Sequence, residues 1–187
     1  LNKGSAAKAF TPAVFGLERE SVASLLRGLF SADGTVADYG ERSQHVSLGS
    51  SSLELLQQVQ LLLLGFGIKA KIYQNRRPAG TKTTLLPDGH GGKKEYPVQQ
   101  MHDLRISRSS RILFEQKIGF LNSSPKAAAL ARLNSHAGTY RDQLEDQIES
   151  MELIGEQPVY DLTEKDTHHF VANGITVHNC SEYMFLD

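Results

Sequence analysis

The stretch LERESVASLLRGLFSADG, residues 17–34, decides how the rest of the chain is read. Val22, Leu25, Leu26, Leu29 and Phe30 recur at helical spacing, so the segment from about Glu18 to Ala32 predicts an amphipathic helix with one apolar stripe. Gly28 and Ala32 stand four apart on it. Two small residues so placed let a second backbone approach closely, although the glycine costs about 1 kcal/mol of helix propensity. A close helix partner is implied. Gly34 is the expected C-terminal stop, which leaves Asp33 where helix carbonyls concentrate negative charge. A carboxylate there calls for a cation.

Working outward, TVADYGERSQHVSL (35–48) predicts a hairpin, with strands over Thr35 to Tyr39 and His45 to Leu48 around Gly40 and Ser43. SSSLELLQQVQLLLLGFG (50–67) predicts a second helix, opened by a capping box of Ser51 and Glu54 and stopped at Gly65. In IKAKIY (68–73), Ile68, Ala70 and Ile72 alternate with Lys69, Lys71 and Tyr73, a strand with one buried and one basic face. Residues 74–96 are rich in glycine and carry Arg76, Arg77, Lys82, Lys93 and Lys94, as in a basic loop or long hairpin. VQQMHDLRIS (98–107) returns as a strand, SSRILFEQKIGF (109–120) as a helix, and SPKAAALARL (124–133) as another, with Pro125 in its first turn. The plan is helix, two strands, helix, two strands, helix.

From about Tyr140 the character changes. Residues 142–154 could be scored as helical on period alone, but Gly155 and Pro158, followed by VYDL, HHFVA and ITVH, favour short strands. Asn173-Gly174 between the last two is a strong hairpin signal, since both central positions of a type I′ turn need positive φ. The hairpin delivers His178 and Asn179 next to His168.

Composition limits the function classes. The chain has 187 residues, 40% of them apolar, enough for a core in one or two domains. With 20 basic and 21 acidic residues its net charge is -1, so a surface for nucleic acid or membrane must be local. One cysteine excludes an internal disulfide framework and a Cys-based zinc site, which fits a reducing cytoplasm. The longest apolar run, Leu61 to Leu64, is too short for a membrane span, and the N-terminus lacks the apolar core of a secretory signal. A first residue of Leu hints at part of something longer. His45, His90, His102 and His136 show no metal-ligand spacing.

LLRGLFSADG (25–34) resembles the LAGLIDADG motif of homing endonucleases. The resemblance implies an α+β fold, αββαββα, whose motif helix packs against a twin from the other half of the enzyme. Its last acid, here Asp33, would bind a divalent metal, Mg2+, for cleavage of double-stranded DNA. Ser31 departs from the motif, replacing its first Asp at a position that is not the metal ligand. KAFTPAVF (8–15) and GFLNSSPKAAAL (119–130) are similar to the lysine-bearing blocks around such halves, which implies Lys8 and Lys126 near a scissile phosphate, where a cation stabilises developing charge. Lys69, Lys71, Arg76, Arg77 and Arg105 are the expected contacts to the DNA backbone.

VYDLTEKDTHHFVANGITVHNC (159–180) resembles the C-terminal splicing blocks of inteins. Asp161, His168, His178, Asn179 and Cys180 fill those places in register. The implied chemistry suits the residue types. Asn179 attacks its own carbonyl, His178 polarises that carbonyl, His168 assists proton movement, and Cys180 supplies a thiolate that accepts an acyl group; Asp161 coordinates these steps. No cofactor is expected for splicing, and His169 is read as structural. CSEYMFLD (180–187) resembles the catalytic segment of cobalamin-dependent ribonucleotide reductases, with Cys180 and Glu182 in the radical and acid/base places of a host enzyme. The expected division is therefore residues 1–139, second half of an endonuclease; 140–179, a β-rich Hint-type splicing segment; and 180–187, host. The intein opening and first LAGLIDADG motif are absent, so the expected partners are double-stranded DNA and a missing N-terminal intein half, with no membrane. The alternative is a DNA-binding or decayed scaffold of the same fold without nuclease activity.

Overall fold

The computed structural model describes residues 4–40, 43–76, 83–87, 89, 91–97, 100–122, 124–136, 145, 147–158, 162, 166 and 168–178. The chain divides into two compact units, Leu1–Asp142 and Gln143–Asp187.

The first unit is α+β. Helix α1, Arg19–Asp33, buries Val22, Ala23, Leu26 and Phe30, the stripe that the apolar spacing predicts. It runs directly into strand β1, Gly34–Asp38, which pairs with β2, Gln44–Ser50. Gly34 is needed here for proximity rather than for a left-handed stop. Its φ of -75° and ψ of 160° are extended, and a Cβ added to it would lie 2.5 Å from the carbonyl oxygen of Phe30.

Helix α2, Leu53–Leu64, starts one residue later than the capping box implies. Ser52, not Ser51, is the N-cap, and its Oγ accepts from the Leu55 N–H at 3.1 Å. Ser52 wins because its hydroxyl also donates to the Lys8 carbonyl at 2.6 Å, tying the N-terminal segment to the helix. After the helix, the left-handed position falls on Gly67 (φ 72°), while Gly65 stays in the right-handed region.

Strand β3 is confined to Lys71–Tyr73, shorter than the alternation over 68–73 implies. The burial alternates as expected, but the backbone at 68–70 has other partners. Ile68 N–H donates to Leu63 O, Lys69 N–H to Ser110 Oγ, and Ala70 O accepts from Gln60 Nε2. The segment 74–96 contains a separate hairpin of β4, Thr83–Pro87, and β5, Lys93–Pro97. Strand β6, His102–Ser107, then enters the main sheet, whose order is β1-β2-β6-β3 with antiparallel neighbours throughout. Helices α3, Arg108–Lys117, and α4, Pro125–Ser135, follow.

All four helices serve one core. Val46, Leu48, Leu104 and Ile106 of the sheet join Leu26 and Phe30 of α1, Leu56, Val59 and Leu63 of α2, Phe114 of α3 and Leu130 of α4. Phe30 meets Phe114 edge-on at 4.8 Å, and Phe114 meets Phe120 at 5.6 Å. Among the described residues of this unit, the α-helices contribute to the core on this one face of the sheet.

In the second unit, β7, His169–Ala172, and β8, Ile175–His178, form the expected hairpin. Asn173 (φ 50°) and Gly174 (φ 84°) both take the positive φ of the type I′ turn. Residues 147–158 have no regular structure, so the helix that period alone allows is absent there. Most of VYDL lies outside the described residues. No helix among the described residues is long and apolar enough to cross a membrane.

Candidate functional site

Asp33 is the last residue of α1 and is exposed. Lys126 reaches the same helix end from α4, donating through Nζ to the carbonyls of Ser31 (2.7 Å) and Ala32 (3.1 Å). Sequence explains the reach. Ser124 caps α4 by accepting from the Ala127 N–H, and Pro125 fixes its first turn. Lys126 thus starts at a helix N-terminus, where a cation is unwelcome, and places its charge on the C-terminus of α1, where it is favourable by about 0.3–1 kcal/mol. Ser31, the departure from the motif, accepts from the Leu121 N–H at 2.9 Å and so holds the approach to α4.

Lys8 is exposed and anchored through its carbonyl to Ser52, just past β2. Because Gly34 pairs with Leu48, Asp33 and Ser52 lie at the same end of the sheet. Among the described residues, no three His, Cys, Asp or Glu side chains are placed to hold a metal. Asp33 offers one hard oxygen donor, the right chemistry for Mg2+ but only one part of its coordination. The face beside it is open: Gly28 and Ala32 are exposed, and a Cβ added at Gly28 would meet nothing within 4 Å. The helix partner that these small residues imply is not supplied by this unit.

The uncovered sheet face carries the basic residues. Pairing places Thr35, Ser47, Arg105 and Lys71 in one row across all four strands. Lys71, Arg76 and Arg105 gather around the Tyr73 ring, at 5.5, 6.0 and 4.7 Å from its centroid. Arg105 is also held by Asp103, Nε to Oδ2 at 2.7 Å. Lys69 alternates with the buried Ile68 and Ala70, and its backbone N–H donates to Ser110 Oγ of α3. Arg77 lies outside the described residues.

Two further groups were not singled out by sequence reasoning. His45 is buried in the same face with Nδ1 3.0 Å from Ser43 Oγ. Burial, then the charge of Arg105, holds its pKa below the usual 6.5, with Arg76 and Arg111 adding to this and Asp103 opposing it. Arg111 is buried, donating to Asn134 Oδ1 at 2.6 Å, while Asn134 donates to Glu115. Burial lowers its pKa and Asp38 and Glu115 pull it back. The alternation of residues 44–50 was a usable signal for His45, but Arg111 is buried on α3 beside Ser110 and Phe114, a mixed set with no pattern that marks it.

In the second unit, the open end of the β7–β8 hairpin collects three imidazoles. His169 and His178 are direct cross-strand partners with ring centroids 4.8 Å apart, and the ring of His168 lies 6.3 Å from that of His178. His168 takes a φ of 57°, which breaks the strand alternation that would otherwise turn it to the opposite face. Asp161, Asn179 and Cys180 lie outside the described residues.

The LAGLIDADG-like domain profile matches residues 20–119. The chain is 35% identical over 175 residues to the ribonucleoside-diphosphate reductase NrdEB subunit alpha of Bacillus subtilis, covering 91% of the chain and 16% of the reductase. It is 34% identical over 173 residues to a DNA polymerase of a Thermococcus species, covering 89% of the chain and 9% of the polymerase. An iron-sulfur cluster assembly SufBD family protein of Mycobacterium leprae is 26% identical over 190 residues, covering 91% of the chain and 19% of that protein. The chain thus spans less than a fifth of each of these relatives.

Proposed function

Since the chain belongs to the LAGLIDADG-like domain family, we propose that it is the C-terminal part of an intein: half an endonuclease, a splicing segment, and the first residues of a host protein. One observation carries this. A similar segment spanning about nine-tenths of the chain occurs in a reductase, a polymerase and an iron-sulfur assembly protein, yet it is a minor part of each. Unrelated activities have no catalytic domain to share, so the segment behaves as a transferable insert.

The splicing chemistry follows from the end of the sequence. The Asn179 side-chain nitrogen attacks the Asn179 carbonyl carbon, a succinimide closes, and the bond to the Cys180 nitrogen breaks with that amine as leaving group. His178 polarises the carbonyl and His168 moves protons, roles open to an imidazole because its ring nitrogens can both donate and accept a proton. The Cys180 thiolate attacks the upstream acyl group where it is esterified to the first residue of the N-terminal half, displaces that residue's side chain, and passes the acyl group from its own sulfur to its freed amine, and Asp161 coordinates the order. Residues 180–187 would begin a ribonucleotide reductase, with Cys180 and Glu182 in its active site. The second unit would complete a Hint-type β fold with the preceding part of the same intein. Its exposed apolar residues, Met151, Leu153, Ile154, Val171 and Ile175 among them, support such a partner. Mass spectrometry after mixing with that N-terminal half should find cleavage between Asn179 and Cys180; an Asn179→Ala chain that still cleaves would refute the assignment.

The endonuclease half would place its open α1 face, at Gly28 and Ala32, against a twin helix. Asp33 would be this chain's ligand to Mg2+, an ion that supplies Lewis-acid activation of water and phosphate. Lys126 and Lys8 would stabilise charge at the scissile phosphate, and Lys71, Arg76 and Arg105 would hold the DNA backbone. Asp33→Asn should abolish cutting while leaving DNA binding intact. The second reading, a DNA-binding scaffold that does not cut, draws on Asp33 belonging to no group of three metal-ligating side chains among the described residues; an Mg2+-dependent cleavage assay on the assembled intein separates the two.

A further inference from the structure

We infer that His169, which chemistry by analogy leaves idle, is a positioning residue for cleavage after Asn179, working through His178. The inference rests on the splicing reading above. The hairpin geometry supplies the argument. In a two-residue hairpin the pair flanking the loop is hydrogen-bonded, and such pairs alternate with non-hydrogen-bonded ones, whose side chains stand closer. Ala172↔Ile175 flanks the loop, so counting outward makes His169↔His178, the fourth pair, a close one. The rings meet edge-on, 4.8 Å apart with their planes at 89°, while His168 is farther away and tilted at 37°.

An imidazole that must aim one N–H at a backbone carbonyl needs a fixed rotamer, and a histidine on an exposed strand has several. Edge-to-face contact selects among them without core packing. Both His169 and His178 are exposed, so a core does not fix their rings, and their mutual edge-on contact is a restraint that the hairpin register supplies. The same face continues to Val171↔Thr176, neither aromatic, and the opposite face carries Phe170↔Val177. His169 therefore has the single ring directly across from the residue before Asn179.

The test compares cleavage rates after Asn179 in the assembled intein. His169→Ala and His169→Leu should both slow cleavage about tenfold, and His169→Phe, which keeps a ring in place, should return the rate to within about threefold of wild type. A role in mere hairpin stability would let leucine serve as well as phenylalanine. Independently of rate, the uncleavable Asn179→Ala chain should give a nuclear Overhauser contact between the rings at 169 and 178; its absence overturns the inference. Wild type that cleaves at the same rate as His169→Ala sinks this role alone, and so does a phenylalanine variant as slow as alanine. Wild type that never cleaves sinks the splicing reading and the role with it.

Discussion

Leu26, Phe30, Leu56 and Leu104 in the first unit are wholly shielded from solvent, whereas Met151, Leu153 and Ile154 in the second expose 87%, 99% and 75% of their surface. Both sequences are rich enough in apolar residues to build a core. The first closes one because each helix stripe and the apolar face of the sheet have an opposite number within 142 residues. Among its described residues the second brings one hairpin, and a two-stranded ribbon is marginal without a further layer. Its apolar residues Met151, Leu153 and Ile154 are therefore left exposed. The first unit has an uncovered surface too, but of a different kind. Thr35, Ser47, Arg105 and Lys71 are polar or charged, so water can satisfy that face.

The contrast can be broken most directly by deleting apolar volume on each side. Phe30→Ala removes a ring that touches Phe114 inside the closed core, and urea unfolding should register a loss of about 3–5 kcal/mol. Leu153→Ala should change the stability of this chain by less than about 0.5 kcal/mol. Mixed with the N-terminal half, the same Leu153→Ala should weaken association measurably. Equal losses from both substitutions in the isolated chain would show that the second unit has a core of its own.

Much of this contrast was legible in the sequence, for physical reasons that differ by residue. The stripe of α1 was readable because helical period and burial coincide at Val22, Leu26 and Phe30. The Asn173-Gly174 turn was readable because few residue pairs accept two positive φ values. The start of α2 was misplaced by one residue because Ser50, Ser51 and Ser52 are equivalent in local pattern, and the distant Lys8 carbonyl chooses between them. β3 was overextended because alternation reports burial and not hydrogen bonding. At the sites, Lys126 could be anticipated beside Asp33, but the gathering of three cations on Tyr73 depends on pairing between β3 and β6 that no local window contains.

That gathering gives a sharper test of the polar uncovered face. Arg105→Ala or Lys71→Ala should each lower affinity for double-stranded DNA and reduce the slope of log K against log salt by about 1, as expected for one lost phosphate contact. Tyr73→Ala removes no charge, so it should weaken binding with the salt slope unchanged, by loosening the three cations around its ring. Affinity untouched by all three changes would mean that this face is a solvated surface only.

The smallest effect expected is a slope in stability against pH, and it comes from the same face. His45 has its folded pKa held below 6.5 by burial first and by Arg105 next, with Arg76 and Arg111 in the same direction and Asp103 against. Between that lowered value and 6.5 the unfolded chain binds more protons than the folded one, so stability rises with pH across this window. Acidifying from pH 7 through 6.5 should therefore begin to destabilise the first unit, until the pH drops below the folded value and the loss is complete. His45→Gln keeps a polar group near Ser43 but cannot titrate, so the variant should be flatter than wild type over this range in urea midpoints measured at successive pH values. The closed core gives no reason for such a slope, since its residues carry no titrating group. A slope of the same size in His45→Gln would show that it does not originate at His45.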